Sequence, residues 1–93
     1  MKRIGVIGAG HVGLVTGACF AELGNHVTIA DNDTEKIAGL KQLRLPFFEP
    51  DLDALVRKGI HNGLLAFTTS IAELTAHSEI IFIAVGTPST EEG

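Results

Sequence analysis

A short apolar stretch near the N-terminus leads directly into three glycines with the spacing Gly-x-Gly-x-x-Gly. The stretch covers residues 4–7, and the glycines are Gly8, Gly10 and Gly13. A continuous apolar run of this length suits a strand that is buried on both faces, as the strands of parallel sheets are. The glycines then predict a tight turn from that strand into a helix. This pattern restricts the chain to α/β folds.

The residues after the glycines extend the pattern to a second strand. The helix is expected to end at Gly24 and to bury an apolar stripe of Val12, Val15, Cys19 and Leu23. A second apolar run ends in Asp31, which lies 18 positions after Gly13. An acidic residue about 20 positions after such glycines binds the ribose 2′-hydroxyl of a dinucleotide. The sequence therefore predicts a dinucleotide site, because a glycine-rich turn alone would leave Asp31 unexplained.

Each glycine has a separate expected role. Gly8 allows the tight turn, Gly10 lets the backbone approach a diphosphate, and Gly13 lets the helix pack against the strand. The diphosphate would lie at the helix N-terminus, where free N–H groups and the positive end of the dipole favour anions. Gly17 falls in mid-helix, where we expect it to serve close packing on the sheet rather than to contact a ligand.

The composition excludes several classes of protein. The chain has 93 residues, of which 45% are hydrophobic and 19% charged, and its net charge is −4. These values fit an α/β domain with a modest core. The absence of a basic stripe argues against a nucleic-acid partner. No apolar run approaches the ~20 residues of a membrane span, and no secretion leader is present, so we expect a cytoplasmic protein without a membrane partner.

Cysteine and histidine offer little chemistry. A single cysteine permits neither an internal disulfide nor a thiolate metal cluster, and the position of Cys19 on the apolar stripe predicts a buried, inert thiol. The histidines show no ligand spacing and no obvious serine or carboxylate partner. All but the first are expected at the surface or in turns: His11, His26, His61 and His77. No metal site is predicted.

Two helices are predicted between residues 32 and 59. Residues 32–35 offer a cap with a glutamate three positions on, and the helix that follows ends before Pro46. The second helix opens with Pro50 at its first position and ends at Gly59. Their inner faces are expected to carry Ile37, Leu40 and Leu43 in the first, and Leu52, Leu55 and Val56 in the second.

Two strands and a short helix complete the pattern. Asn62-Gly63 marks a turn before a strand at residues 64–69, and Ser70 with Glu73 forms a capping box. Six consecutive apolar residues, 80–85, predict a central buried strand. The order β-α-β-α-α-β-α-β predicts a parallel sheet with strand order 3-2-1-4, in which the last strand pairs on one side only. This is the first half of a Rossmann-type doubly wound fold.

Several sequence blocks together point to one enzyme family. They are residues 8–19 and 21–24, Asp31, Lys36-Ile37, residues 46–50, which read Pro-Phe-Phe-Glu-Pro, residues 67–69, and residues 82–88, which end in Val-Gly-Thr-Pro. Over its whole length the chain resembles the N-terminal portion of the UDP-glucose/GDP-mannose dehydrogenase family. The Glu-Pro loop combined with the Gly-Thr-Pro ending is far more specific than the glycines alone.

The resemblance implies an NAD-dependent oxidoreductase that converts the C6 alcohol of a nucleotide sugar to a carboxylate. It favours UDP-glucose, with GDP-mannose and UDP-N-acetylmannosamine as alternatives. The family pattern has tyrosine at the position of His11 and glycine at that of Asp51. The family's catalytic cysteine, lysine and asparagine have no match here, so no catalytic residue is expected. Residues 1–93 would form the NAD-binding domain of a homo-oligomer whose sugar-binding domains lie outside them.

The same resemblance implies a set of residues that contact NAD. By the resemblance these are Val12, Asp31, Lys36 and Thr87. The glycine pattern itself adds Gly8, Gly10 and Gly13, and His11 of the same turn completes the predicted cofactor-binding set. Lys36 could equally be a solvated helix lysine, and residues 46–50 could equally form a surface loop. Two alternatives stay open: an NAD-binding module without catalysis, and an NAD enzyme of the 3-hydroxyacyl-CoA or 6-phosphogluconate dehydrogenase type. The Glu-Pro and Gly-Thr-Pro blocks argue against the second.

Overall fold

In the part of the chain that the structure describes, four parallel strands form one sheet, and they lie in the order third, second, first and fourth, as predicted. The computed structural model describes residues 1–45 and 49–85. The elements in chain order are β1 (Arg3–Ile7), α1 (His11–Glu22), β2 (His26–Ala30), α2 (Thr34–Lys41), α3 (Pro50–His61), β3 (Leu65–Thr68), α4 (Ile71–His77) and β4 (Ile80–Ile83).

One face of the sheet is apolar across all four strands. Val6 of β1 lies opposite Ile29 of β2 on one side and Phe82 of β4 on the other. Ile29 lies in turn opposite Phe67 of β3. The largest fully buried side chains come from both strands and helices: Leu14, Ile29, Ile37, Leu40, Leu74, Val6 and Val56. Since β1 and β2 are neighbours and parallel, the residues that follow them meet at one edge of the sheet.

The inward face of α1 differs from the predicted stripe. Its buried residues are mostly small: Gly13, Leu14, Gly17, Ala18 and Ala21. Val12 is 64% exposed and Leu23 76% exposed, and Cys19 is exposed. The prediction of a buried Cys19 is therefore wrong. A β-carbon at Gly17 would lie 2.6 Å from Cδ1 of Ile29, so the face of α1 that packs on the sheet must carry small residues. The predicted packing role of Gly17 is confirmed.

The cap of α2 lies one residue later than predicted. Asp33, and not Asn32, is the N-cap, and its side chain accepts a hydrogen bond from the amide of Lys36 at 3.0 Å. The shift has a local cause, because Asp31 accepts the amide of Asp33 and holds residues 31–33 in a turn. Leu43 lies beyond the end of the helix with a φ of +65°.

The end of α3 also differs from the prediction. The helix opens with Pro50 as expected, but it continues past Gly59 to His61. A β-carbon at Gly59 would lie 2.9 Å from Cβ of Leu65. This glycine therefore permits close packing of α3 on β3. Gly63, with a φ of +73°, is the glycine that follows the helix end.

The last strand lies at an edge of the sheet. Within residues 1–45 and 49–85, β4 pairs only with β1, as the predicted order requires. All four of its residues are exposed, from Ile81 at 37% to Ile83 at 73%. The prediction that β4 is buried is therefore wrong. An apolar sequence shows that a strand suits a buried position, but it does not show whether other residues pack on that strand. Phe82 stacks on Phe20 of α1 with ring centroids 5.1 Å apart.

Candidate cofactor-binding site

The turn between β1 and α1 has the geometry that its glycines require. Gly8 has a φ of +112°, a conformation that residues with a β-carbon rarely adopt. A β-carbon on Gly13 would collide with the carbonyl oxygen of Gly8. At Gly10, the N-cap of α1, an added β-carbon would meet no atom within 4 Å. The turn is thus closed where it packs on the helix and open where a ligand could approach the backbone.

The N-terminus of α1 has no carboxylate of its own. In α1, which the structure describes throughout, the first turn holds no acidic residue and the N-cap makes no side-chain hydrogen bond. Each of the other helices has an acidic residue in its first turn: Glu35 in α2, Asp51 and Asp53 in α3, and Glu73 in α4. The first amides of α1 and its positive dipole end are therefore suited to an anion.

Asp31 directly follows β2 and reaches the glycine turn. Its Oδ2 accepts a hydrogen bond from the amide of Ala9 at 2.9 Å, and its Oδ1 accepts one from the amide of Asp33 at 2.9 Å. Burial by itself would raise the pKa of Asp31. The two amides and the ammonium group of Lys36 outweigh this effect and hold the pKa below its usual value of 3.8. Asp31 is therefore ionised at neutral pH.

Lys36 lies beside this carboxylate. Its Nζ is 3.7 Å from Oδ2 of Asp31, and the side chains of Lys36 and Asp31 are only 29% and 15% exposed. Of the two interpretations of Lys36, this position favours a role at the end of β2 over a fully solvated lysine. A small cavity of about 100 Å³ adjoins the carboxylate and is lined by Ile7, Gly8, Asp31, Asn32, Ile71 and Val85.

His11 has a carboxylate partner that the sequence did not reveal. It is the first residue of α1, and its Nε2 lies 2.6 Å from Oε2 of Glu49, the N-cap of α3. The two residues are 38 positions apart in sequence, so no local pattern could pair them. The expectation that no histidine has a carboxylate partner is wrong at this position. Val12, the next residue, points its side chain largely into solvent.

Other predicted features fall outside the site or outside the described residues. Thr87 and residues 46–48 of the aromatic loop lie outside the described residues. Among residues 1–45 and 49–85 there is no group of three or more His, Cys, Asp or Glu residues that could hold a metal ion. Over the same ranges, no helix has the length and apolar character needed to cross a bilayer.

Comparison with known proteins gives matches along the whole chain. Residues 2–93 match the model of the UDP-glucose/GDP-mannose dehydrogenase family, NAD binding domain. The UDP-glucose 6-dehydrogenase of Pseudomonas aeruginosa is 50% identical over 91 residues, which are 98% of this chain and 20% of that protein. The UDP-glucose 6-dehydrogenase TuaD of Bacillus subtilis is 50% identical over 93 residues, which are 100% of this chain and 20% of that protein.

A solved structure shares the fold. The crystal structure of a ternary complex of GDP-mannose dehydrogenase from Pseudomonas aeruginosa superimposes with a TM-score of 0.91 at 37% identity. The match covers 98% of this chain and 21% of that one. The chain thus spans about a fifth of the length of these relatives.

The described residues fit the cofactor that the family model names. The backbone in front of Gly10 is open, the N-terminus of α1 has no acid in its first turn, and an ionised Asp31 stands at the end of β2. These three features match the needs of a diphosphate and of a ribose with free hydroxyls. On this geometry and on the match of residues 2–93, the chain belongs to the UDP-glucose/GDP-mannose dehydrogenase family, as its NAD-binding domain.

Proposed function

We propose that this chain binds NAD within a dehydrogenase that oxidises a nucleotide sugar, UDP-glucose in particular. The reaction takes UDP-glucose, two NAD⁺ and one water to UDP-glucuronate and two NADH. The observation that carries the proposal is the link between Asp31 and the glycine turn, in a chain 50% identical to two UDP-glucose 6-dehydrogenases. GDP-mannose is the second candidate substrate, supported by the TM-score of 0.91 to a GDP-mannose dehydrogenase.

The proposed roles divide between the diphosphate and the adenosine ribose. The turn formed by Gly8, Gly10 and Gly13 leaves room for the diphosphate at the N-terminus of α1, next to the backbone of His11 and Val12. At the end of β2, Asp31 accepts hydrogen bonds from the ribose hydroxyls, and Lys36 holds its carboxylate in place. Thr87 follows the carboxyl end of β4 in sequence, the edge at which ligands bind in such sheets.

The chemistry that NAD supplies is acceptance of a hydride, and none of the described residues is assigned to the oxidation itself. In this proposal residues 1–93 are the N-terminal cofactor-binding domain, and the groups that recognise the sugar belong to other domains of the protein. The protein is a homo-oligomer of the cytoplasm, and its product supplies polysaccharide biosynthesis.

Selection of NAD over NADP tests the role of Asp31. The 2′-phosphate of NADP would lie near this carboxylate, and two like charges ~4 Å apart at an effective dielectric of about 20 repel by roughly 4 kcal/mol. A third of that repulsion gives about tenfold selectivity. We expect the protein that carries this chain to bind NAD at least about tenfold more tightly than NADP, and Asp31→Ala to narrow the ratio.

The measurement is titration calorimetry with both cofactors, together with the rate of NADH formation from UDP-glucose. Glu35→Ala is the matched control, since this acid lies in the first turn of α2 and has no proposed contact with the ribose. It should leave the ratio unchanged. Equal or tighter binding of NADP by the unaltered protein would contradict the role of Asp31. Absence of NADH formation with UDP-glucose and with GDP-mannose would contradict the proposed activity.

A further inference from the structure

His11 and Glu49 join the N-termini of two neighbouring helices. The 2.6 Å contact between Nε2 and Oε2 links the first residue of α1 to the N-cap of α3. At the other end of the same helices, Nζ of Lys58 donates a hydrogen bond to Oε2 of Glu22 at 3.0 Å. The two helices therefore run side by side in the same direction. The histidine and its partner lie at the end where the cofactor diphosphate is proposed to bind.

The carboxylate of Glu49 contacts His11 and does not cap its own helix. In α2 and α4, the side chains of the N-caps Asp33 and Ser70 accept an amide of their own first turn. The side chain of Glu49 makes no such bond, although it occupies the same position in α3. Its contact with His11 therefore fixes where the imidazole lies relative to the N-terminus of α1.

Several other charged groups lie on the elements around α1, and most of them form ion pairs away from His11. The first turn of α1 contains no acidic residue, and β4 consists of apolar residues only. Asp51 follows Glu49 in the first turn of α3 and is exposed. His26 of β2 and His61 of α3 are the other titratable groups on these elements. Four ion pairs involve groups on or beside them: Arg57 with Asp53, Lys36 with Asp31, Lys58 with Glu22, and Arg3 with Glu79. The carboxylate of Glu49 contacts the imidazole directly.

We propose that NAD binding is coupled to protonation of His11, and that Glu49 is the positioning residue that holds the imidazole beside the N-terminus of α1. This inference rests on the proposed function, since it requires the diphosphate to lie at that N-terminus. Binding then adds a second anion near a histidine that already contacts a carboxylate. An imidazolium between two anions is favoured over a neutral imidazole, so NAD binding takes up a proton.

Coupling of this kind makes the affinity for NAD depend on pH. By linkage, a ligand whose binding takes up a proton binds more tightly as the pH falls. Histidine changes its charge between about pH 5 and 8. We therefore expect the dissociation constant for NAD to rise by about three- to tenfold between about pH 6 and 8.

The test is calorimetric titration of the protein that carries this chain with NAD. Titrations in buffers of different ionisation enthalpy count the protons taken up, and titrations from pH 6 to 8 give the affinity profile. His11→Gln keeps a hydrogen-bonding side chain without a titrating charge, and it should abolish both the proton uptake and the pH dependence. His11→Tyr serves the same purpose if the glutamine variant unfolds at a lower temperature. His26→Gln, at the start of β2, is the control and should behave as the unaltered protein.

Glu49→Gln tests whether Glu49 positions the imidazole of His11 or only stabilises the fold. Because it removes the carboxylate that holds the imidazole beside the N-terminus of α1, this variant should take up fewer protons on NAD binding and show a weaker pH dependence of NAD affinity. An unchanged profile in either His11→Gln or Glu49→Gln would overturn the proposal, provided that the variant retains its thermal midpoint. If the unaltered protein itself does not bind NAD, the proposed function fails and the coupling fails with it.

Discussion

Asp31 shows how one carboxylate can act on two elements at once. Its oxygens bind the amides of Ala9 and Asp33, so the turn after β1 and the turn after β2 share a single anchor. The ionised form is favoured by these two bonds and by Lys36. Because the carboxylate accepts these hydrogen bonds more strongly than the protonated acid does, the link between the two turns should weaken in acid.

The stability of the fold should therefore depend on the ionisation of Asp31. A carboxylate whose pKa is lowered by folding contributes stability above its unfolded pKa, near 3.8, and loses it as the pH falls through the folded value. Asp31→Asn should lower the free energy of unfolding at pH 6, and this deficit should shrink towards pH 3, below the unfolded pKa. Urea unfolding at several pH values measures the difference.

A matched acid provides the control for this experiment. Asp51 lies exposed in the first turn of α3, so Asp51→Asn should change the pH dependence less than Asp31→Asn does. A deficit of Asp31→Asn that stays constant from pH 6 to 3 would show that the charge of Asp31 does not carry its contribution.

The position of Asp31 could be predicted from the sequence, while its contacts could not. The distance from Gly13 and the end of an apolar run place the residue at the sheet edge. The bond to Ala9 depends on the exact path of the turn after Gly8, whose φ of +112° no local propensity specifies. The pairing of His11 with Glu49 was missed for a related reason, because it depends on two helices that are adjacent only in the folded chain.

At the scale of the element, α1 was predicted correctly in extent but not in orientation. Apolar residues occur on its outer face as well as on its inner one, since Val12 and Cys19 are exposed. Apolar periodicity therefore could not select the buried face. Steric limits select it, because the side that lies against the sheet must carry Gly13 and Gly17, where a β-carbon would collide with the turn or with Ile29. Small residues would have been the better signal.

The first turn of α1 gives a prediction that separates binding from folding. Gly10→Val adds side-chain atoms to open space, so it should leave the thermal midpoint nearly unchanged and abolish measurable NAD binding. Gly13→Ala directs a β-carbon onto the carbonyl oxygen of Gly8, and this overpacking should lower stability by about 1–3 kcal/mol. Calorimetric unfolding and NAD titration on both variants measure the two effects. Tight NAD binding by a folded Gly10→Val protein would show that the diphosphate binds elsewhere.

At the scale of the whole molecule, the order of the strands was predictable because right-handed crossovers leave few alternatives. The exposure of β4 is the main departure. Its apolar residues were expected in a buried strand, yet Ile83 is 73% and Ile80 41% exposed. The sequence of a strand indicates the environment that the strand suits, but not which part of the protein surrounds it.

A polypeptide of these 93 residues should therefore associate with itself. An exposed apolar edge strand is a template for pairing with another chain, and we expect dimers or larger species by light scattering at about 100 μM. Ile83→Lys places a charge at the most exposed position of β4 and should favour the monomer. A monomeric species without that substitution, with cooperative unfolding, would show that the edge is protected.

The strand directions have a consequence for where anions collect. In a parallel sheet each helix that links two strands must run back against them, so α1, α2 and α4 all begin at one edge, and α3 begins beside α1. Four dipole ends would then compete for the same ligand. In α2, α3 and α4, acidic residues in the first turn of the helix already lie at the positive end of the dipole. The N-terminus of α1 is then the helix end best suited to a diphosphate, on a molecule whose net charge is −4.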